Sequence, residues 1–240
     1  MARTLFDKLW DAHVVRELGD GWALLHIDRH LLHDLSGPPA LAEVAARGLA
    51  LHDPALVFST PDHAVSSQPG RDGNTYVPGG RLWSALRERS AAAGVTMFDL
   101  GQPGQGIVHV MGPELGIVLP GLTVICGDSH TCTNGGLGAM AFGVGSSEST
   151  HALATQTLRQ QKAAPHAHPL RWRAGGRHHR QGPGVAYHRP PRRRSGRGLC
   201  HRVRRHGHRR AGGRGPPDAV QPERGAWRAL WHGGARRTDH

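Results

Sequence analysis

The sequence predicts an α/β fold over residues 1–162, because strands, turns and helices alternate throughout this part of the chain. Short apolar runs alternate there with segments whose apolar residues recur at helical spacing. Glycines and polar side chains directly follow the apolar runs, most clearly at 122–136, where Leu-Thr-Val-Ile-Cys leads into Gly-Asp-Ser-His. Active sites of α/β proteins lie where strands end, so this stretch is the first candidate for a functional site.

The N-terminal part is predicted to contain two helices and two strands. Apolar residues of 5–13 share one face of an amphipathic helix. Residues 23–33 are predicted to be a strand that passes into a loop. A helix with prolines in its first turn is expected over 36–48, followed by a strand at 56–60.

The middle of the chain continues the alternation of elements. A loop, a helix, a strand and a turn are predicted in that order, at 74–80, 81–93, 95–100 and 101–106. The turn is not a phosphate loop, because it lacks the Gly-Lys-Ser/Thr ending. Residues 107–111 have strand character, which places His109 among apolar residues, where a single histidine is usually part of a core.

The segment after the central strand at 122–125 is rich in small residues. Small side chains permit a ligand to approach a loop, or a helix to approach a sheet. An Ala-rich part of this segment could begin a helix, and a helix is predicted over 146–158 with Ser146 or Ser147 as its cap.

The last 78 residues, 163–240, differ sharply from the rest. Residues 1–162 hold 11 Lys and Arg against 15 Asp and Glu, a net charge of −4, whereas 163–240 hold 19 Arg against three acidic residues, a net charge of +16. This basic, low-complexity tail has too little apolar material to offset chain entropy, so we expect it to be disordered.

Two explanations of the tail remain open. Its arginine runs could bind phosphates without sequence preference, which would make the chain a nucleic-acid-binding protein. Arginine without any lysine is unusual for such a tail, so we do not expect a nucleic-acid partner. We hypothesise instead a change of reading frame near residue 162, which the DNA sequence in the other two frames would test.

The cysteines and the N-terminus indicate a cytoplasmic protein. Cys126, Cys132 and Cys200 are too few and too irregularly spaced for a disulfide framework, and they form no Cys-x-x-Cys pair. No run of apolar residues is long enough for a membrane span, and the N-terminus lacks the apolar core of a signal peptide.

Three histidines near the start of the chain raise the alternative of a metal site. His26, His30 and His33 have the spacing of one helical face, but no helix start precedes them. Surface and loop histidines are the simpler interpretation.

The candidate catalytic residues lie at or beside predicted strands. Their side chains are carboxylates and imidazoles, which suit proton transfer because a carboxylate fixes the tautomer of the ring and supports its charged form. The candidates are Asp62, His63, His109, Asp128 and His130, with Ser129 beside them.

A Ser-His-Asp hydrolase is the competing interpretation of residues 128–130. The stretch lacks the Gly-x-Ser-x-Gly elbow, and adjacent Ser129 and His130 would not face each other naturally. We therefore expect proton transfer without a serine nucleophile.

Residues 1–162 resemble the start of the aconitase superfamily and, within it, the family of large subunits of 3-isopropylmalate dehydratase. The resemblance covers about two thirds of this chain and about a third of a usual family member. The matching segments are Thr4-Leu-Phe-Asp-Lys-Leu-Trp-Asp-Ala-His-Val-Val, Ile27-Asp-Arg-His-Leu-Leu-His-Asp, Pro61-Asp-His, Gly106-Ile-Val-His-Val-Met-Gly-Pro-Glu, Cys126-Gly-Asp-Ser-His-Thr and Leu153-Ala-Thr-Gln-Thr-Leu.

The resemblance implies a three-layer α/β/α, aconitase-like domain in a hydro-lyase of leucine biosynthesis. A [4Fe-4S] cluster with one open iron would act as a Lewis acid on the substrate, and a separate small subunit would complete the enzyme as a heterodimer. Asp62 and His63 would help to protonate the departing hydroxyl, and His109 would pair with Asp128. Ser129 would contact the substrate, and His130 would belong to the same proton network. Homoaconitase-like hydro-lyases share these motifs and remain an alternative.

Two departures from the family pattern change what is expected of this chain. The family usually has Asn after the Asp-His pair, where this chain has Ala64, which would weaken a polar contact near the substrate or cluster. The three cluster cysteines of the family lie beyond residue 162, and neither Cys126 nor Cys132 occupies one of their positions. We therefore expect no metal ligand, no bound cluster and no activity from this chain alone.

Overall fold

The computed structural model describes the backbone of residues 3–171 and 199–206, and the side chains of residues 3–163. The chain divides into two compact units, Met1–Gln160 and Gln161–His240. The first unit contains a parallel sheet with helices on both faces, which confirms the predicted α/β class.

The helices of the first unit are short. None of the helices in the described part of the chain is long and apolar enough to cross a bilayer. The α-helices are α1 (Leu5–His13), α2 (Gly37–Ala46), α3 (Val77–Ala92), α4 (Val108–Glu114) and α5 (Ser146–Thr155), and 3-10 turns span Pro54–Leu56 and Thr131–Leu137.

The strands of the first unit form two sheets. A three-stranded sheet has the order β1-β2-β8, and a five-stranded sheet has the order β5-β4-β3-β6-β7. The strands are β1 (Val14–Gly19), β2 (Trp22–His26), β3 (Arg29–His33), β4 (Val57–Thr60), β5 (Thr96–Met97), β6 (Thr123–Cys126), β7 (Met140–Gly143) and β8 (Thr157–Gln161).

Strand β3 is the centre of the five-stranded sheet. It pairs in parallel with β4, where His30 lies opposite Val57, and with β6, where Arg29 lies opposite Val124. Leu31 packs on one face of the sheet in a core with α4, whereas Leu32 packs on the other face with α2. Successive strand residues point to opposite faces, so the two leucines anchor the two helical layers.

Helix α1 packs beside the three-stranded sheet. Thr4 and Asp7 form a capping box, in which each side chain satisfies a backbone N–H of the other at the start of the helix. Trp10 then lies in a core with Ala23, Leu25 and Met140. The predicted amphipathic N-terminal helix is confirmed.

The prediction of a strand at 107–111 is wrong, because these residues enter α4. Met111 donates its N–H to the carbonyl of Ile107 at 2.9 Å, which is a helical bond. The N–H of Val108 donates to Asp62 Oδ2 at 2.8 Å, so a carboxylate from another loop caps the start of the helix. A five-residue apolar alternation does not distinguish a strand from a short buried helix.

Several other boundaries differ from the prediction. Residues 23–33 form two strands, β2 and β3, where one strand and a loop were expected. The Ala-rich segment that could begin a helix is instead β7, because it pairs along the whole length of β6. Helix α5 is capped at Gly145, whose N–H donates to Glu148 Oε2 at 2.8 Å, and it ends at Thr155, before β8.

The second unit contains two described strands, β9 (Ala164–Arg171) and β10 (Leu199–His206), which pair in parallel. Leu199 lies opposite Ala164, and His206 lies opposite Arg171. The rest of the basic tail lies outside the described residues. Its disorder and its proposed origin in a changed reading frame stay predictions.

Candidate functional site

The ends of three adjacent strands bring the candidate residues together. Strand β3 lies between β4 and β6, and in a parallel sheet the carboxyl ends of all three meet at one edge. His63 follows β4, and Asp128 follows β6. Although β3 separates these two strands, the His63 ring reaches Asp128, with 3.0 Å between His63 Nε2 and Asp128 Oδ2.

His63 is held between two carboxylates. Its Nδ1 is hydrogen-bonded to Asp62 Oδ1, while Nε2 faces Asp128. The hydrogen bond with Asp62, assisted by the charges of Asp62, Asp128 and Asp34, raises the pKa of His63 to about 9. The ring therefore carries a positive charge and two N–H groups at neutral pH.

Asp128 connects the histidines of the site. Its Oδ1 accepts the backbone N–H of His130 at 2.6 Å and lies 3.1 Å from His130 Nδ1, while Oδ2 lies 4.0 Å from His109 Nε2. Burial opposes the charged form of this carboxyl, but these hydrogen bonds and the His109 and His63 rings lower its pKa. Asp128 is therefore the carboxylate on which the proton network converges.

His109 is buried beneath the site rather than isolated in a core. It lies on α4, and its Nδ1 is 3.2 Å from the side-chain nitrogen of Asn134. Thr131 Oγ1 lies 3.4 Å from the other ring nitrogen. Burial lowers the pKa of His109 to about 4, although Asp128 and Asp62 oppose that effect. His109 is therefore neutral at the pH at which His63 is charged.

The sequence did not identify two further residues of the site, His33 and Asp34. The His33 ring stacks on the His63 ring, with 4.1 Å between centroids and 23° between planes. Asp34 accepts the backbone N–H groups of Asp62 and His63 at 3.1 and 3.0 Å. The signal that could have found them is the same one that found the others, a polar pair at the end of an apolar strand.

The geometry does not match a serine hydrolase. Ser129 Oγ lies 3.4 Å from His130 Nδ1, and Asp128 Oδ1 lies 3.1 Å from the same nitrogen. A catalytic triad needs the hydroxyl and the carboxylate on opposite ring nitrogens. Ser129 is therefore placed as a polar group beside the site and not as a triad nucleophile.

The structure separates the three histidines of the alternative metal site. His26 faces Asp28, with 3.6 Å between Nε2 and Oδ1, and His30 Nε2 lies 2.9 Å from Ser149 Oγ on α5. Only His33 of the three reaches the strand ends. The helical spacing was misleading because these residues lie on two strands.

His33, Asp34, Asp62 and His63 do place ligand-type atoms within 4.8 Å of one another. Both oxygens of Asp34 already accept backbone N–H groups, and the charged His63 ring has no free lone pair. These four residues are therefore better suited to holding the proton of His63 than to binding a metal ion.

The described thiols do not fit an iron–sulfur cluster. The part of the chain with described side chains contains two free cysteines, Cys126 in the core and Cys132 at the surface. Burial raises the pKa of Cys126 strongly and that of Cys132 to a lesser extent, which keeps both thiols protonated. Cluster ligation needs several thiolates, so the described residues supply no such ligand set.

Two comparisons with known proteins cover this part of the chain. Residues 7–168 match the aconitase family (aconitate hydratase). The 3-isopropylmalate dehydratase large subunit 1 of Bradyrhizobium diazoefficiens is 58% identical over 160 residues, which are 67% of this chain and 33% of that protein. The match therefore spans about a third of the length of this relative.

Proposed function

This chain belongs to the aconitase family, and from that premise we propose that it provides the N-terminal part of a 3-isopropylmalate dehydratase large subunit. The observation that carries this proposal is the proton network at the ends of β3, β4 and β6. It joins Asp62, His63, Asp128, His109 and His130 through contacts of 4.0 Å or less.

The proposed reaction removes and returns one molecule of water. 2-Isopropylmalate loses a hydroxyl and a proton from the adjacent carbon to give 2-isopropylmaleate, and water then adds in the opposite sense to give 3-isopropylmalate. Such chemistry needs an acid that protonates the departing hydroxyl and a base that takes the proton from the adjacent carbon. We propose that this base is supplied by the small subunit, and that both groups act in the reverse sense when water is added. We assign the reaction to leucine biosynthesis in the cytoplasm.

His63 is the proposed acid. It carries a proton on each ring nitrogen at neutral pH, and two carboxylates orient the ring. Transfer of its proton to the departing hydroxyl would produce water. Neutral His109 and the His130 ring, both beside Asp128, are proposed to hold the orientation of that carboxylate, and Ser129 is proposed to contact the substrate.

The rest of the enzyme is proposed to come from outside the described residues. The named relative is a large subunit, so we propose a small subunit as the partner. The described thiols do not supply ligands for a cluster. We accordingly propose that this chain is inactive without the missing parts.

A chimera provides the direct test. Residues 7–160 of this chain replace the corresponding third of the Bradyrhizobium large subunit, and the product is mixed with the small subunit of that organism, iron and sulfide. We expect hydration of 2-isopropylmaleate, seen as loss of its ultraviolet absorbance. His63→Gln in the chimera should lower kcat by about 10²- to 10⁴-fold, the usual contribution of a general acid.

The unmodified relative is the positive control, and substrates with homocitrate or citrate skeletons test the alternative within the family. A folded chimera that assembles with the small subunit and does not turn over isopropylmalate would contradict the proposal. Faster turnover of the homocitrate substrate would instead identify the chain as part of a homoaconitase-like hydro-lyase.

A further inference from the structure

The Asp34 carboxylate is fully buried at the centre of the site and binds only backbone on the neighbouring loop. Oδ1 accepts the N–H groups of Asp62 at 3.1 Å and His63 at 3.0 Å, and Oδ2 accepts the N–H of Ala64 at 2.5 Å. Three consecutive amides of one loop therefore converge on one side chain from another. Hydrogen bonds of this kind offset the cost of burying a carboxylate.

This arrangement fixes the loop that carries the proposed acid. Asp34 directly follows β3, whereas residues 62–64 follow β4, so the bonds join the ends of two neighbouring strands. Because Asp34 fixes the backbone of Asp62 and His63, the His63 ring can contact the Asp62 and Asp128 carboxylates at the same time. A loop without these bonds would have to satisfy three inward-facing N–H groups in another way.

The buried ring of His33 packs against the ring of His63. His33 is 2% exposed, and its ring stacks on that of His63. Burial, assisted by the charge on His63, lowers the pKa of His33, so the stacked partner is neutral. A neutral ring can pack against the charged one without repelling it.

We propose that Asp34 is a positioning residue, which holds the Asp62–His63 loop so that the His63 ring spans Asp62 and Asp128. The inference rests on the proposed function only in treating the His63 proton as the one used in the reaction. The geometry also predicts an electrostatic effect, because Asp34 is one of three carboxylates, with Asp62 and Asp128, that face His63, and His33 is the opposing imidazole.

The test uses the full chain and needs no activity. Histidine ring signals are followed by NMR as a function of pH, with His63 assigned from the signal lost in His63→Gln. In Asp34→Asn we expect the pKa of His63 to fall by about 1, because a nearby negative charge is removed. Hydrogen exchange at the amides of residues 62–64 should accelerate at least about tenfold, because an amide side chain offers one acceptor oxygen where the carboxylate offers two.

Asp28→Asn is the matched control. Its carboxylate also binds backbone, accepting the N–H of Thr123 at 2.8 Å, but it lies at the opposite end of β3. We expect it to leave His63 unchanged. An unchanged His63 pKa in a folded Asp34→Asn protein would overturn the proposal.

A measurement on the unmodified chain covers the case in which Asp34→Asn does not fold. The amides of residues 62–64 should exchange at least about 100-fold more slowly than the amide of exposed Gly70 in the same loop region. Equal exchange rates would contradict the hydrogen bonds on which the proposal stands. Because neither readout involves turnover, this inference and the proposed function can fail independently.

Discussion

At the scale of single residues, the site keeps two histidines in opposite charge states. His63 has a raised pKa because Asp62 binds it and Asp128 faces it, whereas burial lowers the pKa of His109. Their pKa values of about 9 and about 4 keep the His63 ring protonated and the His109 ring neutral at neutral pH. Asp128 lies between them, with Oδ2 3.0 Å from His63 Nε2 and 4.0 Å from His109 Nε2.

The environment of His109 gives a first prediction. The Asn134 amide nitrogen lies 3.2 Å from His109 Nδ1, so it donates to an unprotonated nitrogen. Asn134→Asp replaces this donor with a carboxylate, and we expect the pKa of His109 to rise from about 4 to above 6. NMR titration of the ring measures the change, with Asn74→Asp in an exposed loop as the control. A His109 that still titrates near 4 would contradict the assigned tautomer.

At the scale of elements, helix α3 is packed directly against the loop of the proposed acid. A Cβ at Gly79 would lie 1.7 Å from the carbonyl oxygen of Ala64, whereas a Cβ at Gly80 would lie 3.2 Å from the Asn74 side chain. The missing side chain of Gly79 is therefore what allows the helix and the loop to touch. The helix thereby forms an outer wall of the site without contributing a side chain to it.

These adjacent glycines give a matched pair of substitutions. Replacing Gly by Ala inside a helix usually stabilises a protein by about 1 kcal/mol. We expect that gain, or a neutral result, at Gly80, but a loss of about 1 to 3 kcal/mol in Gly79→Ala, because the backbone of Ala64 must move. Urea unfolding measures both. Equal stabilities of the two variants would argue against close packing of α3 on the loop.

The elements also show where sequence reasoning succeeds and fails. Asp128 and His63 are recognisable from sequence because each follows an apolar strand. Helix α4 is not recognisable from sequence, because its apolar residues alternate over too short a span. In addition, its start is capped by the carboxylate of Asp62, which lies 46 residues away in sequence. His33 and Asp34 also stand at the end of an apolar strand, but their contacts with residues 62–64 depend on which strands flank β3, a non-local property that spacing does not encode.

At the scale of the whole molecule, buried histidines make stability depend on pH in both directions. His30 and His109 have pKa values of about 3 and about 4, below the 6.5 of an unfolded chain, because both are buried. The unfolded state thus binds more protons than the native state between about pH 3 and 6.5, so stability falls on acidification. His63 acts oppositely, because its stabilisation is complete below pH 6.5 and is lost as pH rises through about 9.

The stability maximum should therefore lie near pH 6.5 to 7. His30 alone should cost about 2 kcal/mol between pH 7 and 5, since one pKa unit corresponds to about 1.4 kcal/mol. Replacing it and its partner together, as His30→Leu with Ser149→Ala, should reduce the loss of stability between pH 7 and 5 by about 2 kcal/mol, leaving the share of His109 and the alkaline side intact. Urea unfolding at pH 5, 7 and 9 tests this, with Ser149→Ala alone as the control. An equally steep acid limb in the double variant would exclude His30 as its source.

The central position of β3 also governs when the site can form. Its partners β4 and β6 are paired through residues 27 and 95 positions away, His30 with Val57 and Arg29 with Val124, and both pairings are parallel. Parallel pairings require long crossovers and are slow to nucleate because the loop entropy is lost before the contacts form. On a ribosome, Asp34 emerges before His63, and Asp128 emerges long after it. The bonds from Asp34 to the loop after β4 can therefore form first, whereas the contact of His63 with Asp128 must wait until β6 has been synthesised. The acid of the site thus acquires the second of its two flanking carboxylates only in the assembled sheet.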